Sequence, residues 1–308
     1  GALFLFRGGL MADVRASILA FTLMYVGFAV MVGYCLLNHP PAATFQPLQA
    51  QGLLQFTGGQ GWTTILGFFI LGAWTLVDPG FHQRVTAMTN PDTGRRVVLV
   101  SVGFWVVFDL LTITTGLYAL SLLPKVPENP LMIFPAAGLQ ILPDGLRAIF
   151  FCGMLGTIVS AMVGYLLVSG ASLGRDLFPG ATDSETRRRT QVGLLVSALV
   201  AIGLALTVQS VVGLWYSWGG VVIGALLLPV LLSYRERGPG VSAKVVWAAL
   251  IAAFGVSLGL FLWSLATENP TLTVKLLGGA EFSLGTLLPG VLISAMVLGL
   301  GRLMEAKR

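Results

Sequence analysis

The sequence predicts an all-α fold, a polytopic transmembrane helical bundle of about eight spans. Three observations carry this expectation. Runs of 18 or more mostly apolar residues recur along the 308-residue chain, and about 20 such residues are what a helix needs to cross hydrocarbon. Hydrophobic residues make up 56% of the chain and charged residues only 10%, against about 25% charged in soluble domains. The basic residues also gather in alternate loops, as the orientation rule for membrane helices demands.

The spans follow in order. The first, 14–37, carries the apolar run from Ile18 to Leu37. The second, 60–79, holds FFILGAWTLVDP, and Gly67 just before this stretch and Gly72 within it offer points of local unwinding. The third, 97–121, holds VVFDLLTITTG, and the fourth, 147–172, ends at the charged pair Arg175–Asp176. The fifth, 190–209, follows the run Arg187–Arg188–Arg189. The sixth, 211–232, contains a proline in LLPVLLS, and 244–266 and 285–303 complete the set. No sheet is expected.

Loop charge orients these spans. Fifteen basic residues fall on one side: Arg7, Arg15, Arg84, Arg95, Arg96, Arg175, Arg187, Arg188, Arg189, Arg235, Arg237, Lys244, Arg302, Lys307 and Arg308. Only Lys125, Arg147 and Lys275 fall on the other. Basic loops stay in the cytoplasm, so both ends are expected there, in a multi-pass protein of the plasma or inner membrane. The outward loops 38–51 and 124–145 are rich in proline, and a loop as long as the second is either a lid or a packed connector.

Composition excludes several classes. The net charge of +5 reflects this loop bias and not nucleic-acid binding. Cys35 and Cys152 lie in apolar runs, His39 and His82 are far apart, and no metal-ligand spacing exists. No nucleophile–base pair or organic cofactor motif points to an enzyme.

Three features inside the spans bear on function. In the fourth, Gly156, Ser160 and Gly164 recur every four residues and share one helical face, with Thr157 and Ala161 beside them. Such a face suits close helix packing, or one half of a site for a small hard cation. Asp109 lies near the middle of the third span, where a carboxylate marks a functional site by default. It could bind a cation, relay a proton, hold substrate or make a structural hydrogen bond, and Thr112 lies one turn on. Trp74, in the second span, is either a gate or a packing residue. Tyr216 and Trp218 near the outer interface are weaker candidates.

Several stretches together resemble the solute:sodium symporter family. SAMVGYLLVSGASLGRDLF (160–178) is similar to that family's signature helix, with Ser160 on the first hydroxyl of a pair and Asp176-Leu177-Phe178 at its acidic–aliphatic–aromatic end. GGLMADVRAS (8–17), DPGFHQRVTAM (78–88) and LLPVLLSYRERGPGVSA (227–243) resemble further family segments in the same order. The resemblance implies a LeuT-like inverted-repeat fold. Residues 14–37 would be the last helix of the first repeat, 60–232 the second repeat and 244–303 peripheral helices. The first core helices would belong to the same protein but lie outside this chain, leaving it a single, partial transporter domain.

The resemblance further implies sodium-coupled symport of a small organic solute by alternating access, with membrane lipid as surroundings. Ser160 would give its hydroxyl and Thr157 a backbone carbonyl to sodium, the fourth span facing an open groove. Trp74 would be an aromatic gate, with Asp109 near substrate. There are departures. Ala161 stands where a second hydroxyl is usual, and Arg15-Ala16-Ser17 stands where the family commonly has Trp-Thr-Asp. A proton-coupled symporter on the same fold, a transporter-like membrane sensor or regulatory domain, and a non-functional truncated product are the alternative readings.

Overall fold

The computed structural model describes all residues except 1, 60, 87, 89, 178–181, 208–210, 236–239, 268–272, 276–280, 284 and 307–308. Its helices in chain order are α1 Ala2–Asn38, α2 Pro41–Thr44, α3 Gln46–Ala50, α4 Trp62–Leu71, α5 Trp74–Val77, α6 Pro79–Thr86, α7 Pro91–Leu122, α8 Ile133–Ile141, α9 Asp144–Ala171, α10 Asp183–Thr207, α11 Val211–Ser233, α12 Ala243–Ala266 and α13 Leu287–Glu305. A 3-10 turn, Pro130–Met132, precedes α8, and a π-turn, Ser172–Asp176, extends α9.

The all-α class holds, with one correction: a small sheet is present. A two-stranded antiparallel ribbon pairs β1 (Thr273–Lys275) with β2 (Glu281–Ser283), with Val274 opposite Phe282. Among the described residues, five helical stretches are long and apolar enough to cross a membrane: Val14–Asn38, Asp92–Leu122, Asp144–Asp176, Ala243–Ala266 and Leu287–Glu305. The fifth and sixth predicted spans correspond to α10 and α11.

The second predicted span is not one straight helix. After α4 the amides of Ala73, Thr75 and Leu76 bond three residues back, to Ile70, Gly72 and Ala73. This is 3-10 winding, which mid-helix often marks a hinge. Asp78 then turns extended, with ψ 119°, and Pro79 opens α6. Proline suits that first helical position, having no N–H to leave unpaired.

Residues 1–58 and 84–203 form one compact unit. Its axis is α1, which lies along α9. Small residues set that approach: a Cβ on Gly153 would stand 2.7 Å from the Leu23 carbonyl oxygen and 3.0 Å from Gly27 Cα. On α7's side, Phe21 and Tyr25 meet Phe104 edgewise and Phe28 meets Phe108 edgewise, while Tyr25 lies tilted against Phe108. Tyr25 Oη donates to the Phe104 carbonyl, and Tyr118 Oη donates to the His39 carbonyl at 2.9 Å. The core joins Phe28, Met31 and Cys35 to Tyr118, Ala119, Leu123, Ala137, Leu142 and Phe150. Ala137, Gly138 and Leu142 are buried, so the long outward loop is in part a packed connector. At the far end of α9, α10 crosses so closely that a Cβ on Gly170 would lie 2.7 Å from Leu194 Cγ.

Residues 59–83 and 204–308 form the second unit. Here α11, α12 and α13 pack together, again on small residues. A Cβ on Gly224 would meet the Leu287 carbonyl oxygen at 3.1 Å and Ser257 Oγ at 3.2 Å. The kinked segment docks on this bundle through Leu71 and Val77 against Ile223, Leu227 and Leu287.

Candidate functional site

In the first unit, α9 continues its small-residue stripe from Gly153 and Gly156 to Ser160. A Cβ on Gly156 would meet the Ala20 carbonyl oxygen at 3.1 Å, so this residue serves packing. One turn further, Ser160 Oγ donates to Ser17 Oγ of α1 at 3.4 Å, and the pair is half-buried. The seam therefore changes there from glycine contact to a pair of hydroxyls. Hard cations hold oxygens at about 2.3–2.6 Å, so ligands at adjacent octahedral corners stand about 3.3–3.7 Å apart. The Ser17–Ser160 separation suits such an edge.

Thr157 Oγ1 donates to the Gly153 carbonyl at 3.0 Å within α9. Thr157 is half-buried, Ala161 exposed and Gly164 buried. The face expected to open on a groove is thus partly covered by α1 at Ser160 and uncovered at Ala161. Phe178, at the end of the signature stretch, lies outside the described residues, as does the side chain of Tyr216. Trp218 is exposed and stacks edgewise on Phe261.

Asp109 is exposed on α7, within electrostatic reach of the Tyr25 hydroxyl of α1. Thr112 shares its turn but turns its hydroxyl to the Asp109 backbone carbonyl, at 3.0 Å.

Trp74 belongs to the second unit, where its ring nitrogen is committed. Nε1 donates to Asp78 Oδ2 at 2.7 Å. Asp78 is only 2% exposed, and its other oxygen accepts from the amides of Gly80 at 2.7 Å and Phe81 at 3.3 Å. Three N–H donors and the positive end of α6 offset the desolvation of this carboxylate. Beyond it, His82 Nε2 lies 2.7 Å from the Leu76 carbonyl oxygen. A carbonyl only accepts, so Nε2 carries the proton, and in the neutral ring Nδ1 accepts from Tyr234 Oη at 3.0 Å. This ties α6 to the residue after α11.

Sequence reasoning passed over Asp78, Ser17 as a partner, and the His82–Tyr234 link. The Asp-Pro-Gly triplet was a signal for the first, being a helix cap followed by proline. The other two depend on contacts 143 and 152 residues apart, which periodicity does not reveal.

A family model, Sodium:solute symporter family, matches residues 1–237. The chain belongs to this sodium:solute symporter family. The match ends just past α11 and takes in every candidate residue on α1, α5, α7 and α9. No curated protein and no solved structure matches the chain. Membership makes it a multi-pass membrane protein of a transporter family that couples sodium to a small solute, and the five long apolar helices accord with that.

Proposed function

We propose that the protein carries a small organic solute across the cytoplasmic membrane together with sodium, by alternating access on a LeuT-like inverted-repeat fold. In this reading both ends are cytoplasmic, and residues 14–37 close the first repeat. Residues 60–232 form the second repeat, and 244–303 are peripheral. The observation that carries the reading is the hydroxyl pair of Ser17 and Ser160 at 3.4 Å. Two helices there offer oxygens at cation-ligand spacing, on a family signature helix. Ser160 gives its Oγ, Thr157 its backbone carbonyl, and Ser17 replaces the oxygen that Ala161 lacks. Trp74, fixed by Asp78, presents its ring as an inner gate, while Asp109 acts on solute or proton.

The exposed mid-span carboxylate of Asp109 supports a second reading, proton-coupled symport. Both are tested by solute uptake into vesicles under separate sodium and proton gradients, in wild type, Ser160→Ala and Asp109→Asn. Sodium-driven uptake that weakens in Ser160→Ala supports the first reading. Uptake driven only by protons and abolished in Asp109→Asn replaces it with the second. Equal sodium-driven uptake in all three proteins removes both residues from the coupling machinery.

A further inference from the structure

At the end of α9, away from the hydroxyl pair, a groove of about 480 Å³ is lined by Leu173, Glu185, Arg188, Arg189, Val192, Gly193 and Val196. Its character changes along its length. Leu173 comes from the π-turn, and Val192 and Val196 from successive turns of α10, giving an apolar wall. Arg188 and Arg189 lie one turn earlier. The run from Arg188 to Val196 rises about 12 Å at helical pitch, so one end is basic and the other apolar over the depth of a partial acyl chain.

Glu185 is the one acid among the lining residues; it caps α10 and lies within electrostatic reach of Arg189, which leaves Arg188 as the groove's second basic group. The Glu185 carboxylate accepts from the Thr182 amide at 3.1 Å, and Thr182 Oγ1 accepts from the Glu185 amide at 3.4 Å. This reciprocal capping box holds it at the start of α10. The groove keeps a net positive end, with two basic residues to one acid; Arg187 is next to a lining residue in sequence and Arg175 two residues from one. Basic pockets between helices on the cytoplasmic side suit anionic lipid headgroups.

We propose that this groove seats one anionic phospholipid of the cytoplasmic leaflet, its phosphate on Arg188 and the start of an acyl chain along Leu173, Val192 and Val196. The leaflet follows from the orientation proposed above; the binding itself is read in detergent and stands or falls apart from transport. The test is native mass spectrometry of the full chain titrated with phosphatidylglycerol, phosphatidylcholine or inorganic phosphate. The expected result is selective retention of one phosphatidylglycerol. Arg188→Gln weakens it about fivefold, the effect of one basic residue near an anionic surface. Val192→Trp, which fills an exposed part of the groove and removes no charge, weakens it as well. Equal retention of both lipids, or phosphatidylglycerol binding unchanged in both variants, overturns the proposal. So does complete displacement by inorganic phosphate, which would make the groove a free-anion site.

Discussion

Ser17 and Ser160 meet across the α1–α9 seam at 3.4 Å, and their value as ligands can be measured one oxygen at a time. A hydrogen bond or ligand contact to a charged partner contributes about 1.5–3 kcal/mol, so Ser17→Ala and Ser160→Ala should each raise the sodium concentration for half-maximal uptake about tenfold or more. The double variant should lose less than the product of the two, because both act on one ion. Ser17→Asp restores the carboxylate common in the resembling family and should shift the sodium dependence the other way. Multiplicative losses would mean that the two hydroxyls serve different sites. Asp109 calls for a different comparison. Exposed on α7, it supports no packing, so Asp109→Asn should reduce uptake far more than it lowers the unfolding temperature. Equal loss of both would make it a structural residue. The residue scale was also the least legible in the sequence. Ser160 stood out through its four-residue spacing, whereas Ser17 read only as a departure, because its meaning comes from a partner 143 residues away.

Between neighbouring helices, glycine position decides how close two axes come. Gly153→Ala would force a Cβ to within 2.7 Å of a backbone oxygen of α1. Overpacking of this kind costs about 1–3 kcal/mol, so thermal unfolding in detergent should occur at lower temperature. Gly116→Ala on α7 meets nothing within 4 Å and should leave it unchanged; equal effects would show that α1 and α9 adjust freely. The start of α10 predicts a pH effect. The Thr182 amide, then the Thr182 hydroxyl, hold the Glu185 carboxyl below its ordinary range, with Arg189 assisting and slight desolvation opposing. The sign follows: the folded carboxyl binds its proton at lower pH than the unfolded one. The cap's stabilisation is complete above the ordinary carboxylate value and is lost as pH falls through the lowered one. Amide exchange at Thr182–Thr186 should therefore accelerate, relative to its intrinsic rate, only once the pH is taken below the ordinary carboxylate value, and should hold steady in mildly acidic buffer. In Glu185→Gln that relative acceleration should disappear. Helix boundaries of this kind were readable to a few residues, since hydropathy reports them directly. The 3-10 turn at Gly72 was half readable: glycine marked the place, but the tightened winding depends on packing against Ile223 and Leu287.

For the whole molecule, the sequence determined the class because hydropathy and loop charge are properties of composition. It overestimated the regularity of the second span, because an apolar run does not say whether its hydrogen bonds close three or four residues back. Orientation remains a proposal with a direct check. A cysteine at Ser184 should react with an impermeant maleimide only from the cytoplasmic side, and one at Glu128 only from outside; the reverse pattern inverts the transporter. The interrupted segment also has a consequence for biogenesis. Trp62–Val77 reaches about 24 Å at helical rise, short of the roughly 30 Å of hydrocarbon, and it leads into a buried Asp78. Its docking surface is α11, which begins at Val211. At about 5–20 residues per second, the ribosome delivers that surface about 7–30 s later. The segment must therefore be sheltered while synthesis continues. Nascent chains arrested before residue 200 should leave 62–77 open to extraction or protease, and chains extended past 233 should protect it. Protection in both would mean that the segment enters the bilayer without help.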